Sequence, residues 1–351
     1  MLDRREFLLS SAAAALGGVA FAAEAEPYTC IAAGSTKGAR IIRGNRRPLA
    51  SQPVEVSEDS LFEIASLTKT FTALLIAIAY ERGKVDIDAP FVKALPGFTP
   101  ADSSVAAITL RDLATHTSGF TDGWLARAGV YGKAWPFAED AAFDRELFKV
   151  RPELPRRKQI AYCCTNYLLL GVIAERLYGV DLDTAAKREI FAPLGMNDTT
   201  WKNCPGDART VQIFTHGAVP PGLKGDEIAR GMKRCVGNAG VFSNLKDLLK
   251  YAGDLVNRRS FPAAVYDLLF TSSAQDGKRR RSFGFDLSPG TNPPGWSSAA
   301  INHSGYTGQY LAVDPVAKSA AVVLTNLNPR DRGERAAAFE KRRELAAEMC
   351  L

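Results

Sequence analysis

Ser66-Leu-Thr-Lys69 stands at the head of an uncharged run, Thr70 to Ala79, made of Thr, Phe, Leu, Ile and Ala. A serine and a lysine three residues apart share one helix face, so the amine reaches the hydroxyl. At a helix N-terminus the dipole and local burial both favour a neutral lysine, able to act as a base. The unpaired backbone N–H groups there can also face a developing oxyanion. Nucleophilic acyl transfer is the chemistry this arrangement allows. The tetrad alone does not separate it from a capping serine. A second copy, Ser243-Asn-Leu-Lys246, reads as Ser at the N-cap and Lys on the solvated face of a helix carrying Leu245, Leu248 and Leu249.

Elements of both periods surround the tetrad. Residues 28–34 and 39–43 read as two short strands around a Lys-Gly turn. A helix follows from Ser66 to Arg82 and closes at Gly83. Residues 84–165 are rich in Pro, Gly and short apolar pieces. Further helices are expected at about Asn166–Tyr178, Asp183–Phe191, from Ser243 or Asn244 to Val256, and at Glu334–Met349. Tyr310-Leu-Ala-Val and Ala320-Ala-Val-Val-Leu-Thr are β-type runs between Gly turns. Strands at both ends with helices between predict a mixed α/β (α+β) fold with one terminal sheet and a helical insert.

Further segments fall in order along the chain: Thr115-His116-Thr-Ser-Gly119, Tyr162-Cys-Cys164 before Leu168-Leu-Leu-Gly171, Pro193-Leu-Gly-Met196, Ala239-Gly-Val-Phe-Ser243, and His303-Ser304-Gly305-Tyr306. With Ser66-x-x-Lys69 they resemble the serine β-lactamase and penicillin-binding-protein superfamily, in its class C-like branch. The resemblance implies an antiparallel sheet flanked by helices with an all-helical insert. The sheet part would span about 27–110 plus 236–351, and the helical part about 111–235. It implies Ser66 as acyl-forming nucleophile, Lys69 as its proton partner and Tyr162 as the second acid/base group. His303, Ser304 and Gly305 would form the edge beside the substrate, and the Tyr306 N–H would join that of Ser66 as oxyanion donor. His116 would shape the site without taking part in the reaction. Where the family pattern has Asn two residues after Tyr162, this chain has Cys164, whose thiol accepts and donates hydrogen bonds weakly. That departure shifts expectation from β-lactam or peptide amides toward esters. It also keeps a non-catalytic or very slow ligand-binding protein of the same fold as the alternative.

Composition narrows the rest. The chain has 351 residues, 46% hydrophobic, with a net charge of +6, which fits a folded globular protein and excludes disordered and multi-spanning classes. Three His and six Cys show no metal-ligand spacing, and no cofactor motif is present. Arg4-Arg5 ahead of Phe7-Leu-Leu, with an Ala/Gly-rich run and Ala-x-Ala sites at Ala20/Ala22 and Ala23/Ala25, resembles a twin-arginine export leader. Residues 1–22 would be removed, leaving 23–351 as one periplasmic catalytic domain without a membrane span. In an exported protein, Cys30 with Cys350 and Cys204 with Cys235 are conceivable disulfides, against buried thiols as the equal alternative. The basic runs Arg156–Lys158, Lys278–Arg281 and Lys341–Arg343 lack interleaved aromatics and read as solvated faces. The expected partner is a small-molecule or peptidoglycan-derived substrate, not nucleic acid.

Overall fold

Cys30–Ser35 (β1) and Arg40–Gly44 (β2) form a hairpin whose turn passes through Gly38 at φ +101°, a conformation that side chains resist. This computed structural model describes residues 30–351 apart from 96–97, 99–102, 133, 216 and 327–331. The expected export leader, residues 1–22, lies outside the described residues. Three more strands, Ile301–Ser304 (β3), Tyr310–Asp314 (β4) and Ser319–Thr325 (β5), complete an antiparallel sheet in the order β2-β1-β5-β4-β3. The earliest strand therefore pairs with the latest, Ile31 opposite Thr325.

Four helices matter for the site: Thr68–Glu81 (α1), Cys164–Tyr178 (α2), Leu245–Asn257 (α3) and Arg332–Glu348 (α4). Side chains alternate across β5, so Ala320, Val322 and Leu324 enter the main core while Ala321 and Val323 enter a smaller one. Leu248, Tyr251 and Leu255 of α3 pack into the first core, and Ala346 of α4 into the second. Covered on both faces, β5 has no solvent side to leave polar, and all seven of its residues are buried. Helix α1 is buried from Thr68 to Ala79 and lies between α2 and the helix Ala263–Phe270. A helix apolar on every side needs such cover. The fold is thus the expected mixed one, an antiparallel sheet flanked by helices. Among the described residues, the middle of the chain carries α2 and short helices joined by loops, with a small hairpin, Ile213–Phe214 with Ala218–Val219.

Several local expectations are corrected. The helix at Ser66 begins as a 3₁₀ turn, Ala65–Leu67, and becomes α-helical only at Thr68. Asn244, not Ser243, caps α3, its side chain accepting from the Asp247 N–H at 2.9 Å; Ser243 instead pairs with Phe62 in a short β ladder. All six cysteines are free, so neither Cys30–Cys350 nor Cys204–Cys235 is bonded. The Cys350 and Cys235 thiols turn to the carbonyls of Ala320 and Trp201. The basic runs are not simply solvated faces. Arg156 and Arg157 both pair with the buried Asp112, at 2.5 and 2.6 Å, and Arg343 donates to the Asn292 carbonyl at 2.8 Å. Among the described residues, no helix is long and apolar enough to cross a membrane.

Candidate active site

The turn that carries Ser66 is held by a buried carboxylate. Glu63 Oε1 accepts from the backbone N–H groups of Ala65 and Gly240, both at 3.0 Å. Ala65 has φ +47°, a left-handed conformation unusual outside Gly, so the residue before the serine is strained and needs such support. Glu63 is 1% exposed, and burial, aided by the Asp226 charge, pushes its carboxyl up to about 7. The Gln309 side chain donates to the Glu63 carbonyl at 2.9 Å, tying this turn to the loop after β3.

Lys69 lies one helical step on, with no solvent exposure. Its ammonium donates to Ser66 Oγ at 2.9 Å, to the Asn238 carbonyl at 2.8 Å and to Cys164 Sγ at 3.8 Å. Burial opposes this charge, but the facing Cys164 and Tyr162 groups, with Asp226 beyond, outweigh it and hold Lys69 above the ordinary lysine range. The acceptors around Nζ favour the charged form, an effect that no helix-dipole argument contains. Cys164 itself is pushed up to about 12, chiefly by burial, and is a neutral thiol at physiological pH.

Tyr162 precedes α2, whose N-terminus is capped from a distant loop. Asp122 accepts from the N–H groups of Cys164 and Thr165 at 2.8 and 3.0 Å, the role a local Ser or Asn would otherwise play. The Tyr162 ring lies 5.1 Å from Lys69 Nζ, and the guanidinium of Arg281 is centred 5.3 Å from it. His116 packs on the same ring at 4.4 Å and is fully buried. Its Nδ1 faces the Cys163 N–H and the Asn166 amide nitrogen, and burial, then the charges of Arg281 and Lys69, keep it neutral. The chain leading to Tyr162 is anchored by the Arg156 and Arg157 pairs with Asp112 and by the Ala161 N–H donating to the His116 carbonyl at 2.8 Å.

The opposite wall is the edge of the sheet. His303 and Ser304 end β3, and His303 is kept neutral by burial, then by Arg281 and Lys69. Its Nδ1 lies 3.0 Å from the Ser304 carbonyl; a carbonyl only accepts, so Nδ1 carries the proton. Gly305 must be glycine, since a Cβ there would meet Gln309 Oε1 at 2.4 Å and the Ile64 carbonyl at 3.0 Å. That close approach sets the edge strand against the serine turn. Between the walls lies a cleft of about 300 Å³ lined by Ser66, Tyr162, Arg281, His303, Ser304 and Tyr306, among others. Arg281 pairs with Asp286 in this cleft at 3.2 Å, so the last residue of the run Lys278–Arg281 also turns inward.

All eight residues singled out from the sequence (Ser66, Lys69, Tyr162, Cys164, His303, Ser304, Gly305 and Tyr306) are placed in or directly behind one cleft. Glu63, Asn238, Asp122 and Arg281 were not anticipated. Of these only Arg281 stood in a noted motif, and none carried a local signal of its role. Among the described residues no cluster of His, Cys, Asp or Glu could hold a metal ion.

A helix-flanked antiparallel sheet with a serine–lysine pair facing its edge defines a serine hydrolase. The chain belongs to the beta-lactamase family, whose model matches residues 31–345. It is 28% identical over 317 residues to a putative D-alanyl-D-alanine carboxypeptidase of Escherichia coli K12, covering 79% of this chain and 71% of that one. Over 147 residues it is 33% identical to penicillin-binding protein 4 of Amycolatopsis lactamdurans, a match covering 42% of this chain and 37% of that protein. In fold it is similar to the D-alanine carboxypeptidase AmpC of Burkholderia cenocepacia, with a TM-score of 0.70 at 22% identity over 91% of this chain and 93% of the other.

Proposed function

We propose that the protein is an exported hydrolase that forms an acyl-enzyme on Ser66 with a D-amino-acid peptide, a β-lactam or a small ester. The observation that carries this reading is the 2.9 Å contact between Lys69 Nζ and Ser66 Oγ at the wall of a cleft shared with Tyr162. Lys69, in its neutral form, takes the serine proton, while Tyr162 gives its phenol proton to the leaving group and is restored from Lys69. Ser66 Oγ bonds to the acyl carbon, and the oxyanion formed meets the backbone N–H groups of Ser66 and Tyr306. The C–N or C–O bond to the leaving group breaks, and that group takes the proton from Tyr162. Water then attacks the acyl carbon, the bond to Oγ breaks, and its proton returns to the serine.

The carboxypeptidase names of the relatives support the peptide substrate, and Cys164 in place of an amide supports the ester. The paired arginines at the start of the sequence support export to the periplasm. A panel of nitrocefin, p-nitrophenyl acetate and a D-Ala-D-Ala peptide, run on wild type and Ser66→Ala, tests the reading. Hydrolysis of at least one substrate that disappears in Ser66→Ala is expected. Equal rates in the two proteins would overturn it.

A further inference from the structure

Arg281 and Asp286 face each other because the chain turns back between them. The strand Arg279–Arg281 runs into a turn whose Ser282 N–H donates to the Phe285 carbonyl at 3.1 Å, and Gly284 takes φ +96° within it. A side chain is excluded at Gly284, since a Cβ would stand 2.6 Å from that of Ala73 on α1. The turn is therefore seated on the serine helix. Arg281 pairs across it with Asp286 as an antiparallel bridge. Asp286 bridges in turn to Asn302 of β3, its N–H donating at 2.9 Å and its carbonyl accepting at 2.8 Å. Main-chain contacts thus deliver the pair to the cleft, beside His303.

The charges lining the cleft cancel. Arg281 Nη2 lies 3.2 Å from Asp286 Oδ2, with the two side chains only 11% and 17% exposed. The other carboxylate oxygen accepts from the Ser288 N–H at 2.7 Å, so the anion is held in place from its far side. The Tyr162 ring stands 5.3 Å from the guanidinium. His303 adds no charge: its Nδ1 proton goes to the Ser304 carbonyl, and its buried Nε2 is an acceptor with no partner. Lys69 lies behind the wall, fully buried against Ser66, Asn238 and Cys164, and is neutral when it takes the serine proton. Among the described residues that line the cleft, Arg281 is the only cation, and it already has its anion. A carboxylate entering beside Asp286 would meet a like charge at close range, where water screens little.

We propose that the cleft selects an uncharged substrate, the Arg281–Asp286 pair excluding molecules that carry a carboxylate near the scissile bond. The inference rests on the acyl-enzyme reading and narrows it. Of the substrates named above, a small neutral ester is taken; peptides ending in a free carboxylate and β-lactams bearing one are not.

The test uses the full chain and two esters that differ in one charge, 3-carboxyphenyl acetate and 3-carbamoylphenyl acetate. Each kcat/KM is divided by the spontaneous hydrolysis rate of the same ester, which removes the difference in leaving group. Wild type should prefer the uncharged ester about tenfold or more. Asp286→Asn removes the anion and should cut that preference about fivefold or more. Arg281→Gln leaves the carboxylate without its cation and should widen it. General damage to the fold lowers both rates together, so the ratio is read even in a weakened variant, and the wild-type ratio decides without any variant. Equal or greater use of the carboxylate ester by wild type, or a ratio unmoved in Asp286→Asn, would overturn the proposal. Turnover of both esters by Ser66→Ala at the wild-type rate would overturn the acyl-enzyme reading instead.

Discussion

Replacing Glu63 by Gln isolates the contribution of one charge beneath the nucleophile. Glu63 Oε1 accepts both backbone N–H bonds, from Ala65 and Gly240, and a glutamine oxygen can accept the same two. The substitution therefore keeps the turn and removes the titration. The folded-state value of about 7 lies above the ordinary 4.5, so the folded protein binds this proton more tightly than the unfolded chain does. The stability tied to the protonated form is complete below about 4.5 and is lost as pH rises through about 7. The interval corresponds to about 3 kcal/mol. Glu63 is 1% exposed, so solvent screening does not reduce the figure much. The assay is denaturant unfolding of wild type and Glu63→Gln at pH 5 and pH 8. Groups remote from Glu63 act alike in both proteins, so the difference between them reports Glu63 together with the Asp226 charge coupled to it. Glu63→Gln should gain on wild type by about 2–3 kcal/mol between the two pH values. A constant difference, or a gain for wild type at pH 8, would refute the assignment of a buried, proton-retaining carboxyl.

Other outcomes follow from the same contacts. Asp112 is 1% exposed between the partly exposed Arg156 and Arg157, so Asp112→Ala removes both pairings and frees the chain leading to Tyr162; unfolding experiments should show a loss of about 1–3 kcal/mol. Gly305→Ala drives a Cβ against Gln309 and the Ile64 carbonyl, and should cost about 1–3 kcal/mol while lowering kcat, read by thermal melting and steady-state kinetics. With all six cysteines free, the denatured unreduced protein should titrate six thiols, and dithiothreitol should leave the melting temperature unchanged.

How far the sequence could be read depends on the range of the contacts. Ser66 and Lys69 are neighbours on one turn, and the strand runs around Ala33 and Val322 carry their own period, so both were legible. The ordered motifs also placed Tyr162 and His303 at one site, although the separation between them along the chain is long. What escaped were polar side chains whose partners lie far away in sequence. Glu63 in Phe-Glu-Ile reads as a solvent-facing strand residue, yet it supports Gly240, more than a hundred residues on. Asn238 in Gly-Asn-Ala-Gly reads as a turn residue, yet its carbonyl holds Lys69. Asp122 caps a helix that begins at Cys164, and Arg281 leaves its basic run to lie over Tyr162. The acceptors of Lys69 were missed for the same reason. The helix-dipole argument sees only the local helix, while two of the three acceptors of Nζ come from elsewhere in the fold.

The central claim is that Ser66 is acylated and then released. Intact-mass analysis during reaction with p-nitrophenyl acetate, followed by peptide mapping, tests it most directly. The expected result is an acetyl mass increase confined to the peptide containing Ser66, which decays as substrate is exhausted and is absent in Ser66→Ala. An adduct on another residue, or turnover in Ser66→Ala equal to wild type, would contradict it.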